Sequence, residues 1–123
     1  MRTIRKNIGD RGELFAQNFL KQNGWKILKT NIRLPWNDEI DILARDPEGV
    51  LVFVEVKTVT GNFLNPEEQM TREKIKKCIR AATWYANQFP EIICEQCGWR
   101  IDCVALKENN GNFLIHHHKQ IVS

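Results

Sequence analysis

Apolar and polar positions alternate with period two over residues 39–57, E-I-D-I-L-A-R-D-P-E-G-V-L-V-F-V-E-V-K, which predicts two strands joined by a turn at Asp46-Pro47-Glu48-Gly49. In the first strand, residues 39–44, one face carries Glu39, Asp41 and Leu43 and the other Ile40, Ile42 and Ala44. In the second, residues 50–57, Val50, Val52, Val54 and Val56 oppose Leu51, Phe53, Glu55 and Lys57. If the hairpin pairs its mixed faces, Asp41, Glu55 and Lys57 converge at one edge of an otherwise apolar sheet. Burying such a cluster gives little net stability. It therefore needs either satisfied ionic partners or a chemical role.

The flanking patterns supply the rest of a domain. Asp10 followed by Glu13 is a capping-box-like start, and Leu14, Phe15, Ala16, Phe19 and Leu20 make a helical stripe, predicting a helix over residues 10–22 that stops at Asn23-Gly24. Residues 25–34 read as a strand and 35–38 as a turn. Residues 58–66, with Gly61, Asn62 and Asn65, read as a loop leaving the acidic edge. Ile75, Cys78, Ile79, Ala82, Tyr85, Ala86 and Phe89 then recur at helical spacing, predicting a second helix from 67 or 71 to 88, with Thr71 a candidate N-cap and Pro90 its end. Its basic residues mostly fall off that stripe, with Arg72 and Arg80 nearer the margins. Residues 99–106 are a fourth strand, 107–112 a turn containing Asn110-Gly111, and 113–117 a short last strand. A helix between the third and fourth strands suits a parallel crossover, while the central turn makes an antiparallel pair. The expectation is an α/β mixed sheet covered by helices, in the order α-β-β-β-α-β-β.

Composition narrows the class. With 123 residues and 42% apolar content, the chain is expected to be one domain, 1–123, with one real core. No apolar run approaches the ~20 residues that span a bilayer, and the start M-R-T-I-R-K-N lacks the apolar stretch of a secretory signal, so a cytoplasmic protein with no membrane partner is expected. The formal charge of +3 says less than its distribution: Arg2, Arg5, Lys6 and Arg11 cluster at the start, and Arg72, Lys74, Lys76, Lys77 and Arg80 crowd the second helix. Either group can be solvated helix surface or a set of phosphate contacts. Cys94 and Cys97 have ligand spacing, but Cys78 and Cys103 form no second close pair for a zinc site, so free thiols are expected. His116-His117-His118 does not share one strand face and reads as a solvated or partly packed terminus. Trp36, beside Pro35 in a turn close to the acids, is the tryptophan best placed to stack on a base.

The acids suit phosphodiester hydrolysis. That reaction needs an activated water and stabilised charge on the transferring phosphoryl group, and one or two divalent cations on rigid oxygen ligands provide both. Asp41 and Glu55 are hard-oxygen ligands for Mg²⁺ or Mn²⁺, and the Val56 carbonyl can add a backbone ligand. Lys57, on the same strand face as Glu55, can orient the water or stabilise phosphoryl oxygens as a charge. Glu39 shares the Asp41 face as a further ligand, a supporting acid or an exposed strand start; Glu13 either caps the first helix or is delivered by it to the metal. The bland alternative is an ion-pair cluster at a sheet edge. A P-loop, G-x-G-x-x-G and H-E-x-x-H are all missing, and the only serine is Ser123, which removes a serine-nucleophile triad.

Taken in order, Gly9-Asp10-Arg11-Gly12-Glu13 with Ala16, Gly24-Trp25-x-Ile27-Leu28 with Asn31 and Arg33, Glu39-Ile40-Asp41-Ile42-Leu43, Val52-Phe53-Val54-Glu55-Val56-Lys57, Lys74 with Ala81 or Ala82, and Arg100-x-Asp102-Cys103-Val104-Ala105 resemble the YraN-like family of bacterial proteins. That family is similar to the archaeal Holliday-junction resolvases within the restriction-endonuclease-like, PD-(D/E)xK superfamily. The resemblance covers a core of about residues 9–106. It implies a restriction-endonuclease-like sheet in which Asp41 and Glu55 bind metal and Lys57 assists the water, with Glu39 and Glu13 near the pocket. The superfamily often cuts DNA, and its resolvase branch acts as homodimers on branched DNA. The resemblance therefore implies a nuclease for which DNA is favoured over RNA, with branched or structured DNA and a homodimer resting on the analogy to that branch. Arg11, Arg33, Arg72, Lys74 and Lys77 are the candidate nucleic-acid contacts. Two departures matter: Asp38 stands where the family commonly has Gly, and Val59 where it commonly has Arg, which removes a phosphate contact. A nucleic-acid-binding module of the same fold with little hydrolysis is the alternative reading.

Overall fold

A computed structural model of the chain describes residues 4–60, 70–93 and 98–121. Five strands make one sheet in the order β1-β2-β3-β4-β5: β1 is Lys26–Arg33, β2 Glu39–Arg45, β3 Leu51–Thr60, β4 Trp99–Asn109 and β5 Asn112–His118. β3 and β4 are parallel from Leu51↔Trp99 to Thr60↔Glu108, and the other neighbours are antiparallel. Parallel strands cannot be joined by a tight turn; the crossover here is α2, Arg72–Gln88, while α1, Ile4–Gln22, packs on the sheet before β1 begins. The order α-β-β-β-α-β-β over a mixed sheet is a restriction-endonuclease-like arrangement, as expected. No described helix is long and apolar enough to cross a membrane.

Each helix buries a different face. Ala16 and Leu20 of α1 pack with Ile42, Ala44, Val52, Val54, Val104 and Leu106, and Trp25 closes that layer. Ala81, Ala82 and Tyr85 of α2 pack with Leu43, Leu51, Phe53 and Ile101. Covering both faces explains why β3 begins with the continuous apolar run Leu51–Val54 and why β4 is apolar at every position from Cys103 to Leu106. Ile40, expected beside Ile42, instead clusters with Leu34 and Leu43, at the strand's entry from a turn closed by the Leu34 N–H to the Asp38 carbonyl (3.1 Å).

Several boundaries differ from the sequence reading. α1 begins at Ile4, so Asp10 lies inside it and not at its N-terminus, where the preceding turn already supplies carbonyls to the helix N–H groups. Gly12 is where α1 meets the sheet, and a Cβ there would collide with Thr58 Oγ1 and stand 3.2 Å from Leu106 Cδ1. Thr71 caps α2 as expected, its side chain accepting from Lys74 N at 3.2 Å. β3 continues through Thr60, so residues 58–60 are strand and not loop; residues 61–66 of the expected loop and 67–69 of the longer reading of the second helix lie outside the described residues, as do Arg2, Cys94 and Cys97. β4 continues to Asn109 and β5 starts at Asn112, because Asn110 (φ 53°) and Gly111 (φ 84°) close a two-residue hairpin that lets pairing run to Asn109↔Asn112.

The face packed by α1 also holds a charged network. Asp102, fully buried, accepts from Arg100 Nε (2.9 Å), Arg100 Nη2 (3.3 Å), the Gln120 N–H (2.8 Å) and His117 Nε2 (2.9 Å). These bonds use the whole acceptor capacity of one carboxylate. Arg100 Nη1 also reaches Asp46 Oδ2 at 2.7 Å, and Asp46 Oδ1 accepts from the Glu48 and Val50 N–H groups in the β2–β3 turn. The guanidinium lies 5.6 Å from the Trp25 ring. Strand alternation thus divides the histidine triplet: His117 turns to this network, while the rings of His116 and His118 stack on each other 6.2 Å apart.

Burial raises the Asp102 and Asp46 carboxyls, but the opposing hydrogen bonds and the Arg100 charge prevail and hold both below the ordinary value. A depressed carboxyl contributes stability that is complete above the unfolded-state value, near pH 4, and is lost as pH falls through the folded value. Asp102→Ala is expected to lower the unfolding free energy at pH 7 by about 3 kcal/mol, because Arg100 keeps Asp46 but loses its fully buried partner. Urea titration should show the gap from wild type narrowing below pH 4. A loss that is small at pH 7, or that persists unchanged into acid, would contradict this role.

Candidate active site

The β2–β3 pairing stops at Ile42↔Val54. Beyond it the Val56 N–H donates to Asp41 Oδ2 at 2.8 Å, so a side chain of β2 takes a hydrogen bond that a continuing ladder would have given to backbone. At this opened end lies a cavity of about 220 Å³. Its acidic wall is Glu13, Asp38, Glu39, Asp41 and Glu55; α2 contributes Lys74, Lys77 and Cys78, and Ile40, Phe53, Ala81, Ala82 and Ile101 are apolar.

Two carboxyls dominate the electrostatics. Asp41 and Glu55 lie within hydrogen-bonding reach of each other. Burial first, then the Glu55 charge, push the Asp41 carboxyl up to about 9, with a smaller push from Glu13 and the Val56 N–H opposing. At neutral pH Asp41 therefore holds a proton unless a cation replaces it. Lys74 Nζ stands 3.3 Å from Glu55 Oε1, and the Glu55 charge raises the lysine above its ordinary value against the effect of burial. Burial, followed by the Glu55 charge, pushes the Cys78 thiol up to about 12, so it stays neutral beside the acids.

Glu13 and Glu39 are joined through Asn31. Its Nδ2 donates to Glu13 Oε2 at 3.1 Å and to Glu39 Oε1 at 2.8 Å, from a β1 residue in the left-handed region (φ 51°). Asparagine tolerates that conformation better than other side-chain-bearing residues. Asp38 Oδ1 accepts the Glu39 N–H at 2.9 Å, so Asp38 organises the turn as well as adding an acid.

Among the described residues no group of three or more His, Cys, Asp or Glu side chains stands close enough to hold a metal by itself. The close donors are the carboxyls of Asp41 and Glu55. Such a sparse hard-oxygen set fits Mg²⁺ or Mn²⁺, which keep several waters, better than a zinc cage.

The sequence candidates divide by position. Asp41, Glu55, Glu39 and Glu13 share the cavity, as do Lys74 and Lys77. Lys57, half-buried on β3, stands in register with Ala105 of β4 and is not among the residues that line the cavity. Val56 is there through its N–H. Arg33, exposed, stands in register with Glu39, and Arg72 is the exposed first residue of α2. Arg11 lies elsewhere, 5.8 Å from the Phe113 ring. Trp36 packs edge-on against Trp84 at 5.8 Å and stacks under Arg80 at 4.5 Å, so its ring is engaged within the protein. Residue types alone did not reveal the Asn31 bridge or the Lys74 contact. Lys74 lies four residues before Cys78, on the stripe facing the sheet, and that spacing was the legible signal. The assignment of the basic residues to positions off the stripe is thereby corrected for Lys74.

Fold and cavity together define a restriction-endonuclease-like α/β protein with an acid pair faced by helix lysines. A family model described as "Uncharacterised protein family UPF0102" matches residues 12–106, and the chain belongs to this family. Among similar proteins, a UPF0102 protein of Thermosynechococcus vestitus is 33% identical over 116 residues, covering 92% of this chain and 90% of its own. One from Francisella tularensis is 38% identical over 116 residues (93% and 94%), and one from Desulfosudis oleivorans 43% over 82 residues (66% and 65%).

The raised Asp41 carboxyl has a measurable consequence. Between about pH 4, where the unfolded chain ionises, and about 9, where the folded carboxyl does, stability falls as pH rises. In chelator at pH 7.5, Asp41→Asn is expected to be more stable than wild type by about 2 kcal/mol, because the amide removes the cost of holding the Asp41 proton well above its unfolded-state value. Thermal and urea unfolding should show this advantage vanish near pH 4. Equal stability at both pH values would contradict the burial of two competing acids.

Proposed function

We propose that this protein is a divalent-metal-dependent nuclease that hydrolyses phosphodiester bonds in DNA, with branched or structured DNA as its substrate class. The observation that carries this reading is the Asp41–Glu55 pair held at the opened β2–β3 end, in a cavity that Lys74 and Lys77 also line. Its membership of the UPF0102 family is in keeping with the YraN-like and resolvase-like resemblance of its motifs.

In this reading Asp41, Glu55 and the Val56 carbonyl hold Mg²⁺ or Mn²⁺, with Glu39 and Glu13 supporting the site. The metal, when bound, activates a water and offsets charge on the phosphoryl oxygens. Asp41 gives up its proton to bind it, and the Val56 N–H keeps its carboxylate oriented. Lys57 acts as a fixed charge toward the water or the phosphoryl group. Asn31 holds Glu13 and Glu39 in one arrangement, and the basic residues Arg33, Arg72 and Lys77 meet flanking phosphates, with Arg11 a more distant contact.

A second reading, a nucleic-acid-binding module with little hydrolysis, is favoured by the small number of close ligands and by buried Val59 in place of the family's Arg. The two separate in one assay. Wild type should cleave linear, flapped or four-way DNA with Mg²⁺ or Mn²⁺, and Asp41→Asn and Glu55→Gln should each lose at least ~100-fold in rate, with Lys57→Ala also strongly impaired. Cleavage that persists in the acidic variants would refute the nuclease assignment. Salt-sensitive DNA binding without metal-dependent cleavage would establish the binding module instead.

A further inference from the structure

We propose that Lys74 is the group a divalent cation displaces from Glu55, and that its freed ammonium then becomes the cavity's contact to the substrate phosphate. The inference rests on the metal-dependent reading above and assigns a lysine of α2, rather than of β3, to the centre of the site.

The geometry is that of two cations competing for one oxygen. Lys74 Nζ lies 3.3 Å from Glu55 Oε1, one of the two carboxyls a metal would use. The acid is fixed and the lysine is not: the Glu55 side chain is 13% exposed in a central strand, whereas that of Lys74 is 39% exposed on a four-carbon stem. An ion pair of that exposure is weak, so a divalent charge that gains both carboxyls can replace it. The lysine backbone stays in place, because its N–H is bonded to the Thr71 cap in the first turn of α2. Once displaced, the ammonium is repelled by the metal but still sits at the cavity wall with Lys77, where a phosphate bound to the metal presents free oxygens. Among the described residues Lys74, and not Lys57, is the lysine paired with Glu55.

Mn²⁺ binding to the full chain, measured by calorimetry, tests the first half. Lys74→Met should bind Mn²⁺ about tenfold tighter than wild type, whereas Lys77→Met, which removes a nearby charge without a bond to Glu55, should change affinity less than about twofold. Equal gains in the two variants, or no gain in Lys74→Met, would overturn the proposal while leaving the metal site intact. Mn²⁺ binding that is undiminished in Asp41→Asn would instead overturn the metal reading, and this inference with it.

DNA affinity tests the second half. Fluorescence anisotropy with a labelled four-way DNA should show Lys74→Met binding about fivefold more weakly than wild type when Ca²⁺ occupies the oxygen site, and nearly equally in chelator. The same loss with and without Ca²⁺ would show that Lys74 is free at all times and would reject displacement.

Discussion

The constraint on which the rest depends is the parallel pairing of β3 with β4. It buries both faces of the sheet's centre, which is why Val52, Val54, Val104 and Leu106 lie against one helix layer and Phe53 and Ile101 against the other. A parallel pair also requires a long crossover. Here that crossover is α2, whose first turn brings Lys74 within 3.3 Å of Glu55 on β3. The placement of Lys74 and Cys78 next to Glu55 follows from the same connection that lets the core form.

Where β2 leaves β3, the sheet gives up backbone pairing and the Asp41 carboxyl takes the Val56 N–H. This exchange aims an acid inward next to another acid. Two buried carboxyls so close cannot both ionise easily, so the site is set to hold a proton, a lysine or a metal. Asn31 extends the same arrangement outward by tying Glu13 to Glu39 from a left-handed position. The bonding power of the site is thus concentrated in few groups, and each of them is positioned by backbone or by a neighbouring polar side chain.

Charge on the other face has a different character. Asp102 has every acceptor position filled, and Arg100 joins it to Asp46, so the β2–β3 turn, β4, β5 and the segment at Gln120 are tied through one buried network. The contrast with the cavity is physical. In the Asp102 network opposite charges compensate each other and the carboxyls are depressed; at Asp41 burial, and then the neighbouring Glu55 charge, raise the carboxyl. Matching the two chemistries to two faces lets one region stabilise the sheet while the other keeps an excess of acids over bases, Glu13, Asp38, Glu39, Asp41 and Glu55 against Lys74 and Lys77.

Periodicity was sufficient to read the hairpin, both helices, the crossover and the shared face of Asp41 and Glu55, because side-chain alternation is a local property of the backbone. The Thr71 cap and the turn at residues 46–49 were legible for the same reason. Local patterns could not show that α1 starts at Ile4 or that an Asn-Gly turn would let β4 and β5 pair to their ends. Nor could they show which face each helix covers. Asn31 reaching two acids, His117 and Arg100 meeting on Asp102, and Lys74 meeting Glu55 all join residues distant in sequence. The chain determined by itself where acids and lysines stand along each element; tertiary packing alone decided which of them come close enough to share a proton, an ion pair or a cavity.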